Sequence, residues 1–493
     1  MKKNRVFIYI FMFVALIGCE KHLELKPISY ITSGSFWSTK DDVDGALNGV
    51  YARLRNDAVL NLFIWGEARS EMMEQSLSGN LGYNRYYDQF LSSSYPGPDW
   101  DNLYSVINSC NLILKYVPKI EYRDENEKNN ALAQVHTMRA YAYFLLVRIW
   151  GGVPLRTQPL EEYDPMTIQL PRTPKEEIFK FIKQDIDDAS TLFSNNNAYP
   201  NGRNKWSKPA LNALKADVYL WTGKVEGGGN KDIEIALDAI NEIQQSDVDL
   251  LGNYGDIFKY SNKGNKEIIM AIRFFLKESG EMTFAHNMYM STVSDVPSYI
   301  PKWQLEIVGT PKSGNGNVWR ITKRVRDQFS NDDTRKNATY IDLEGSGENQ
   351  YFTNYGLKFN GIIELGQRYF LDDWILYRYA DILLMKAEAK NALGQDPSVE
   401  INEIRKRAYG DKYSDHIFIN GSKKENDDAI LKERLLELSL EGKRWWDLIR
   451  FGEVFNLVSK LKGRENEKHL LLWPLSKSAL SREVLVEQTP GYE

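Results

Sequence analysis

Cysteine is almost absent from this chain, which has only Cys19 and Cys110 among its 493 residues. Two cysteines cannot build a disulfide framework, so the fold must depend on packing. Long apolar runs are missing too: the run over residues 6–17 is well short of the ~20 residues that cross a bilayer, and no later run approaches that length. There is no basic tract, and 62 Lys and Arg against 67 Asp and Glu give a net charge of -5. This balance argues against nucleic acid as the main ligand.

Recognised catalytic motifs are missing as well. The sequence has no G-x-S-x-G, H-E-x-x-H or C-x-x-C motif and no Walker loop. Its histidines are widely separated, without metal-ligand spacing; they are His22, His136, His286, His416 and His469. Glu67, Glu71 and Glu74 have helical spacing, but a solvated helix face explains them better than the acid and nucleophile of a glycosidase. We therefore predict no catalytic, metal or cofactor site.

The N-terminal segment combines basic residues, an apolar run and a cysteine. Basic residues at positions 2, 3 and 5 precede the apolar run, and Leu16-Ile17-Gly18 leads directly into Cys19. This order is typical of a secretory signal. A thiolate can take up a diacylglyceryl group, and Leu-Ile-Gly-Cys resembles a bacterial lipobox. We therefore predict a signal peptide over 1–18, acylation of Cys19 and a lipidated tether over 19–35. Cys110 then has no disulfide partner, and we expect a small buried side chain there.

Apolar residues recur at helical spacing over most of the chain. Val43, Leu47, Val50 and Leu54 are four, three and four residues apart, which indicates a helix with one buried face. Comparable stripes predict helices near residues 100–114, 140–150, 173–189, 208–223, 236–243, 376–393 and 429–449. Small residues on several of them allow close helix packing. The predicted fold class is mainly α, a scaffold of helical hairpins that resemble tetratricopeptide repeats.

Between residues 251 and 370 the apolar residues no longer recur at helical spacing. Gly, Ser, Asn and Pro divide this stretch into short pieces, and the apolar residues 268–272 suit one buried strand. We therefore expect an N-terminal helical region over 36–250, a loop-rich and partly β insertion over 251–370, and a C-terminal helical region over 371–493.

A charged stripe runs along the helix predicted over 429–449. Arg434, Glu437, Glu441 and Arg444 are three, four and three residues apart. Side chains at these spacings are neighbours on a helix surface, so the stripe predicts ion pairs along one helix.

Two segments place aromatic side chains among polar loop residues. Pyranose rings present C–H faces that stack on Trp and Tyr, and their hydroxyls bind polar side chains, so both segments suit a sugar site carried by loops. For each ring alone, packing in the core is the competing interpretation. The segments cover 82–100 and 289–319, and Tyr299 lies within the second. Their candidate ligand-binding residues are Tyr83, Arg85, Tyr86, Trp100, Tyr289, Trp303 and Trp319.

Several longer strings occur in a fixed order along the chain. They are RAYAYF (139–144), GGVPL (151–155), RTP (172–174), YADILLMKAEA (379–389), ERLLEL (433–438), EGKRWWDLIR (441–450), WPL (473–475) and QTPGY (488–492). With the lipobox, this set resembles the SusD/RagB family of Bacteroidetes outer-membrane lipoproteins. The family usually has Asn where Thr489 stands.

The resemblance implies a fold, a location and a function. It implies about four tetratricopeptide-like helix pairs, attachment to the outer membrane and display on its outer face. Family members are binding proteins without cofactors that serve as lids on a TonB-dependent, SusC-like transporter and capture glycans for import. Arg444, Trp445 and Asp447 would then be scaffold residues. Binding by Tyr83, Arg85, Trp100, Trp303 and Trp319 rests on their position alone.

Three alternatives to glycan capture stay open at this point. The chain could be a lid that captures peptides, as some members of the family do. It could be a hydrolase tethered to the same surface. It could also be an interaction module with no small ligand. No residue-level motif in the sequence chooses among them.

Overall fold

The computed structural model describes residues 36–78, 82–161, 168–278, 280–290, 296–308 and 316–493. The predicted signal peptide, Cys19 and the tether over 19–35 lie outside these residues.

Helices form most of the described regular structure. The described α-helices of seven or more residues are α1 Lys40–Ala58, α2 Asp101–Tyr116, α3 Glu125–Trp150, α4 Lys175–Phe193, α5 Lys208–Val225, α6 Gly229–Ile243, α7 Lys302–Val308, α8 Tyr379–Ala392, α9 Ser398–Tyr409, α10 Lys423–Leu438 and α11 Arg444–Phe451. Shorter α-helices are Asn61–Phe63, Asn84–Tyr87, Thr283–His286, Lys323–Arg326, Lys336–Thr339, Val454–Leu457 and Lys477–Arg482, and a π-helical turn covers Ile64–Ala68. Within the described ranges, no helix has the length and apolarity needed to span a bilayer.

The long helices pack in pairs. α1 packs on α2, α3 on α4, α5 on α6, and α8 on α9 and α10. The first helix shows why the sequence folds this way: Thr39 forms a capping box with Asp42 at its start, and the stripe from Val43 to Leu54 is buried. Helix pairs are also joined by buried ion pairs, as where Arg139 of α3 binds Asp185 of α4. The prediction of a mainly α fold is confirmed.

The strands are short and pair antiparallel. They are β1 Met73–Gln75, β2 Ile268–Ile272, β3 Trp319–Ile321, β4 Tyr340–Glu344, β5 Tyr351–Gly356, β6 Ile362–Glu364, β7 Gln367–Tyr369 and β8 Trp374–Arg378. The pairs are β1–β3, β2–β8, β4–β5 and β6–β7. All five residues of β2 are buried, as predicted for 268–272. The β1–β3 pair connects the N-terminal part of the chain to the central part.

Cys110 lies on the buried face of α2. It is completely buried and free, and burial raises the pKa of its thiol to about 12. A thiol in such surroundings stays protonated and unreactive. The prediction of a small buried side chain is confirmed.

The structure interrupts the helix predicted over 429–449. α10 ends at Leu438, Leu440 and Gly442 both have a φ of 69°, and α11 begins at Arg444. Glu67 stabilises this break, because its buried carboxylate accepts the main-chain N–H groups of residues 440, 443 and 444 at 2.8, 3.1 and 3.4 Å. The prediction of one continuous helix is wrong, because apolar spacing cannot show an acceptor that lies 373 residues away from Leu440 in the sequence.

The charged stripe pairs across the structure and not along one helix. Arg378, at the end of β8, lies 2.7 Å from Glu437 and 2.8 Å from Glu441. Arg444 binds Glu71 instead of Glu441. Glu437 and Arg378 also contact further buried charged groups, and we call the whole set the Glu437 cluster. Its other members are Glu267, Asp333, Arg335, Lys358, Arg407, Glu433 and Glu441.

The cations keep the buried carboxylates of Glu437 and Glu441 ionised. Burial alone would raise the pKa of Glu437, but three surrounding guanidinium groups hold it well below its ordinary value. The same is true of Glu441, beside Arg378 and Lys358. The prediction of exposed pairs on one helix is wrong because Glu437 and Glu441 face the core, where every charge needs a partner.

We predict that Arg378→Met lowers the free energy of unfolding by about 3–5 kcal/mol, because it leaves buried carboxylates without their cation. Lys323→Met is the control. It removes an exposed pair with Asp327, whose loss should cost less than about 1 kcal/mol. Urea unfolding of both variants measures the difference. Equal stabilities would contradict the structural role of the cluster.

Candidate functional site

The two segments predicted to carry the ligand site meet in the structure. β1 pairs with β3, so that Gln75 lies opposite Trp319. After β1 the chain stays beside the residues that precede β3. The Ser76 N–H donates to the main-chain oxygen of residue 318, and the Leu77 N–H donates to that of residue 317. The Tyr83 ring, from the first segment, lies 4.6 Å from the Trp319 ring, from the second. The β1–β3 strand pair therefore brings together two segments that are far apart in the sequence.

Two of the predicted ligand residues in the second segment lie in the core. The Trp319 ring is completely buried beside Phe63, and its indole N–H donates to the main-chain oxygen of Phe284 at 3.1 Å. The Tyr289 ring is also fully buried, and its hydroxyl donates to the Gly356 oxygen at 3.0 Å. Their polar groups are used inside the protein, so these rings support the fold and do not face solvent.

Two residues of the first segment are likewise buried. Tyr86 packs 5.7 Å from Trp473, and Trp100 lies between Tyr104 and Trp150 at 5.5 and 5.6 Å. The prediction placed both rings on a ligand surface because their sequence neighbours are polar. The structure corrects this, since Tyr86 is only 4% and Trp100 only 1% exposed.

Tyr83 and Arg85 are half-buried. The Arg85 guanidinium donates to the main-chain oxygens of Gly82 at 2.6 Å and Pro96 at 3.1 Å. It therefore braces the segment from Gly82 to Pro96, and it lies over the Tyr86 ring at 5.5 Å. Tyr83 covers Trp319 with one side of its ring.

One predicted residue is well exposed. Trp303 lies on α7 with 56% of its surface accessible, and Ile307, one turn further on, is 47% exposed. Tyr299, in the turn before the helix, is 40% exposed. We call Tyr299, Trp303 and Ile307 the aromatic face. Ile307 was not among the sequence candidates, although its spacing of four from Trp303 places it on the same side of a helix.

The helix that carries the aromatic face is firmly attached. Gln304 is buried, donates to the Glu344 oxygen and accepts its N–H, each at 3.0 Å, so α7 is bound to β4. The guanidinium of Arg368 donates to the Val308 oxygen at the end of the helix. Trp303 is therefore displayed on a fixed support while its own ring is free of core packing.

A second exposed pair lies in the first segment. Phe90 is 44% and Tyr95 58% exposed, and their rings are 6.1 Å apart. Sequence reasoning missed both, although the signal was present: Tyr95 follows three serines and precedes Pro-Gly-Pro, a composition typical of an exposed loop.

A cleft of about 720 Å³ opens beside Trp100. Its lining mixes aromatic, amide and charged side chains, and includes Trp100, Tyr104, Asn108, Asn111, Gln169 and Arg482. Such a mixture suits a polar ligand. Trp100 contributes only an edge, since it is 1% exposed.

The carboxylates considered for catalysis are occupied by structural contacts. Glu67 accepts main-chain N–H groups, Glu71 binds Arg444 and Glu74 binds Arg320. Glu67 lies in the π-helical turn, Glu71 in a turn and Glu74 in β1, so the three do not share one helix face.

One group of potential metal ligands occurs among the described residues: His136, Asp185 and Asp188. Both carboxylate oxygens of Asp185 already accept from the Arg139 guanidinium, at 2.7 and 2.8 Å. A cation would have to compete with that guanidinium for Asp185.

Comparison with known proteins relates the whole chain to one group. A model of the SusD family matches residues 364–492, and a model described as starch-binding associating with outer membrane matches residues 21–220. The structure of B. fragilis NanU is 30% identical, with a TM-score of 0.82 over 95% of this chain and 100% of that chain. The chain belongs to the SusD family.

Two further relatives also carry SusD names. A SusD superfamily protein from Bacteroides vulgatus is 30% identical, with a TM-score of 0.78 over 92% of this chain and 99% of that chain. A SusD-like protein of Formosa agariphila is 29% identical over 100% of both chains. The predicted SusD/RagB membership is confirmed, and with it come starch or glycan binding and outer-membrane association as family properties.

The SusD hallmark strings form internal contacts. Trp445 is fully buried, with Arg69 over its ring at 4.4 Å, and Asp447 lies 2.9 Å from both Arg434 and Arg450. These are scaffold contacts, as the resemblance implies. Thr489, where the family usually has Asn, is also buried and links two further hallmark strings: its hydroxyl donates to the Trp473 oxygen and accepts from Arg172.

We predict that two tryptophans of this SusD-family chain contribute very differently to its stability. Trp319→Ala should lower the free energy of unfolding by about 3–5 kcal/mol, because it empties a buried site. Trp303→Ala should change it by less than about 0.5 kcal/mol, because that ring is exposed. Chemical denaturation of both variants is the measurement. Comparable losses would show that Trp303 is a core residue.

Proposed function

We propose that this SusD-family protein is a cell-surface lipoprotein that captures a polysaccharide or oligosaccharide and delivers it to a SusC-like, TonB-dependent transporter. The observation that carries the proposal is the aromatic face: Trp303 and Ile307 are exposed on a firmly attached helix, and Tyr299 is exposed in the turn before it. The family description, starch-binding associating with outer membrane, supports both the ligand class and the location.

The aromatic face suits a sugar for physical reasons. An indole ring offers a broad apolar surface that the C–H face of a pyranose can cover, which removes apolar area from water on both partners. Lys302 and Glu306 are exposed on the same helix and can bind hydroxyl groups at the ring edge. A ligand can therefore gain stacking and hydrogen bonds on α7 without a conformational change in the core.

Acylation of Cys19 would attach the protein to the outer membrane. Two or more acyl chains hold a protein stably at a bilayer. The segment 19–35 would then join the acylated cysteine to the binding domain and keep that domain at the surface where the transporter lies.

Affinity electrophoresis against plant, host and microbial glycans tests the binding step. We expect at least one glycan to retard the protein, and Trp303→Ala to weaken its binding tenfold or more, equivalent to about 1.4 kcal/mol. Tyr95→Ala is the matched control, because Tyr95 is equally exposed at 58% but lies in the N-terminal loop. If Tyr95→Ala lost binding and Trp303→Ala did not, the glycan site would lie on the N-terminal loop and not on α7.

Three outcomes would overturn the proposal. Retardation by no glycan, with retention of peptides instead, would favour a peptide-capturing lid. Cleavage of a glycan by the purified protein would make it a tethered hydrolase. The third concerns delivery: Cys19→Ala should keep its glycan affinity but impair growth on the retained glycan, and undiminished growth would show that the anchor is not needed for import.

A further inference from the structure

Exposed carboxylates border the aromatic face. α7 is attached to the β4–β5 hairpin through Gln304 and to the β6–β7 hairpin through Arg368, whose guanidinium donates to the Val308 oxygen. Tyr299 also lies beside Gly345, in the loop between β4 and β5. The exposed carboxylates carried by α7 and these two hairpins are Glu306, Glu344, Glu348 and Glu364. We call these four residues the acidic rim.

The acidic rim has no cationic partners within the described part of the chain. None of its four carboxylates forms an ion pair with another described residue. The remaining carboxylate of the two hairpins, Asp342, shows the contrast, because Arg326 binds it at 2.6 Å. The charges of the rim can therefore act on a ligand.

Two cations belong to the same elements, and they are too few to balance the rim. Arg368 is only 3% exposed, and its guanidinium donates to the main-chain oxygens of Asn360 and Val308. Lys302 is exposed but forms no ion pair with Glu306, four residues later. The order of Lys before Glu is the weaker one for such a pair on a helix. The surface around the aromatic face is therefore acidic.

Glu306 lies close to the ring on which the proposed function stacks a sugar. It follows Trp303 by three residues on α7, and side chains at this spacing have Cβ atoms about 5–6 Å apart. A group that lies on the Trp303 ring can therefore reach the Glu306 carboxylate. The face of an indole ring also attracts cations.

We propose that Glu306 makes the aromatic face selective for glycans that carry protonated amino groups, an inference that rests on the glycan capture proposed above. A protonated sugar amine has three donors and no acceptor, and its bond to a carboxylate is charge-assisted. The same cation gains from the face of the Trp303 ring. Because one exposed ion pair contributes little, the selectivity depends on several amines of one chain meeting the acidic rim together. The ligand class is a linear glycan of amino sugars that are not N-acetylated.

Isothermal titration calorimetry with two forms of one ligand tests the selectivity. A hexasaccharide of glucosamine and its N-acetylated form have the same backbone, and only the first is cationic at mildly acidic pH. We expect the glucosamine form to bind at least about fivefold more tightly at low salt, and this preference to shrink as salt screens the charges. An oligogalacturonate, which is anionic, should bind more weakly than either. Equal affinities for the two hexasaccharides would overturn the proposal.

Glu306→Gln is the decisive variant. Gln can still bond sugar hydroxyls but attracts no cation, so the preference for the glucosamine form should fall about threefold. Glu234→Gln is the matched control, the same change at an exposed position of α6, and should leave the preference unchanged. Both positions are exposed, and urea unfolding checks that both variants fold. An unchanged preference in Glu306→Gln, or an equal loss in Glu234→Gln, would overturn the role of Glu306.

Trp303→Ala separates this inference from the proposed function. It should weaken the binding of both hexasaccharides, because both would stack on the same ring. If the N-acetylated form or another neutral glycan binds through Trp303 at least as tightly as the glucosamine form, the selectivity is wrong and glycan capture stands. Binding of the glucosamine form that is unaffected by Trp303→Ala would reduce it to general attraction by an acidic protein. If no glycan binds at all, both proposals fail.

Discussion

The buried carboxylates of Glu437 and Glu441 need cationic partners, and those partners lie on other parts of the chain. Arg378 comes from β8, Arg335 and Lys358 from the central region, and Arg407 from α9. The pairs of Arg335 and Lys358 therefore also connect the C-terminal helices to the central region, while Arg407 joins α9 to α10. Because an unpaired charge in the core costs several kcal/mol, the arrangement tolerates little displacement of any element. The central region, which has short strands and little helix, is held in place in this way.

A fixed central region explains how exposed aromatic side chains can be used for binding. α7 is attached to β4 through Gln304, and the Glu437 cluster anchors β8 and the loops around it. Trp303 can then remain on the surface without losing its orientation. Preorganisation of this kind lowers the entropy that a ligand must remove on binding. On the proposed function, stability depends on a buried set of charges and ligand contact on an exposed set of rings.

Much of the fold could be predicted from the sequence, since helix and strand formation depends on local patterns. The stripe from Val43 to Leu54 and the apolar run 268–272 are periodic signals of this kind. The break after Leu438 could not be predicted, because Glu67 supplies it from a distant part of the chain. The candidate site was predicted only in part for the same reason. Trp303 and Trp319 both have polar neighbours in sequence, and only the tertiary packing exposes one ring and buries the other.

Hydroxyl-radical footprinting can show directly whether a rigid scaffold displays the aromatic face as the ligand surface. The protein would be oxidised with and without a glycan that it retains, and the modification of each side chain would be read by mass spectrometry. We expect protection of Tyr299 and Trp303 and no change at Ile417 or Ile419, which are exposed at 50% and 81% on the C-terminal part of the chain. Undiminished oxidation of Trp303, with protection confined to other surfaces, would contradict this role of the aromatic face.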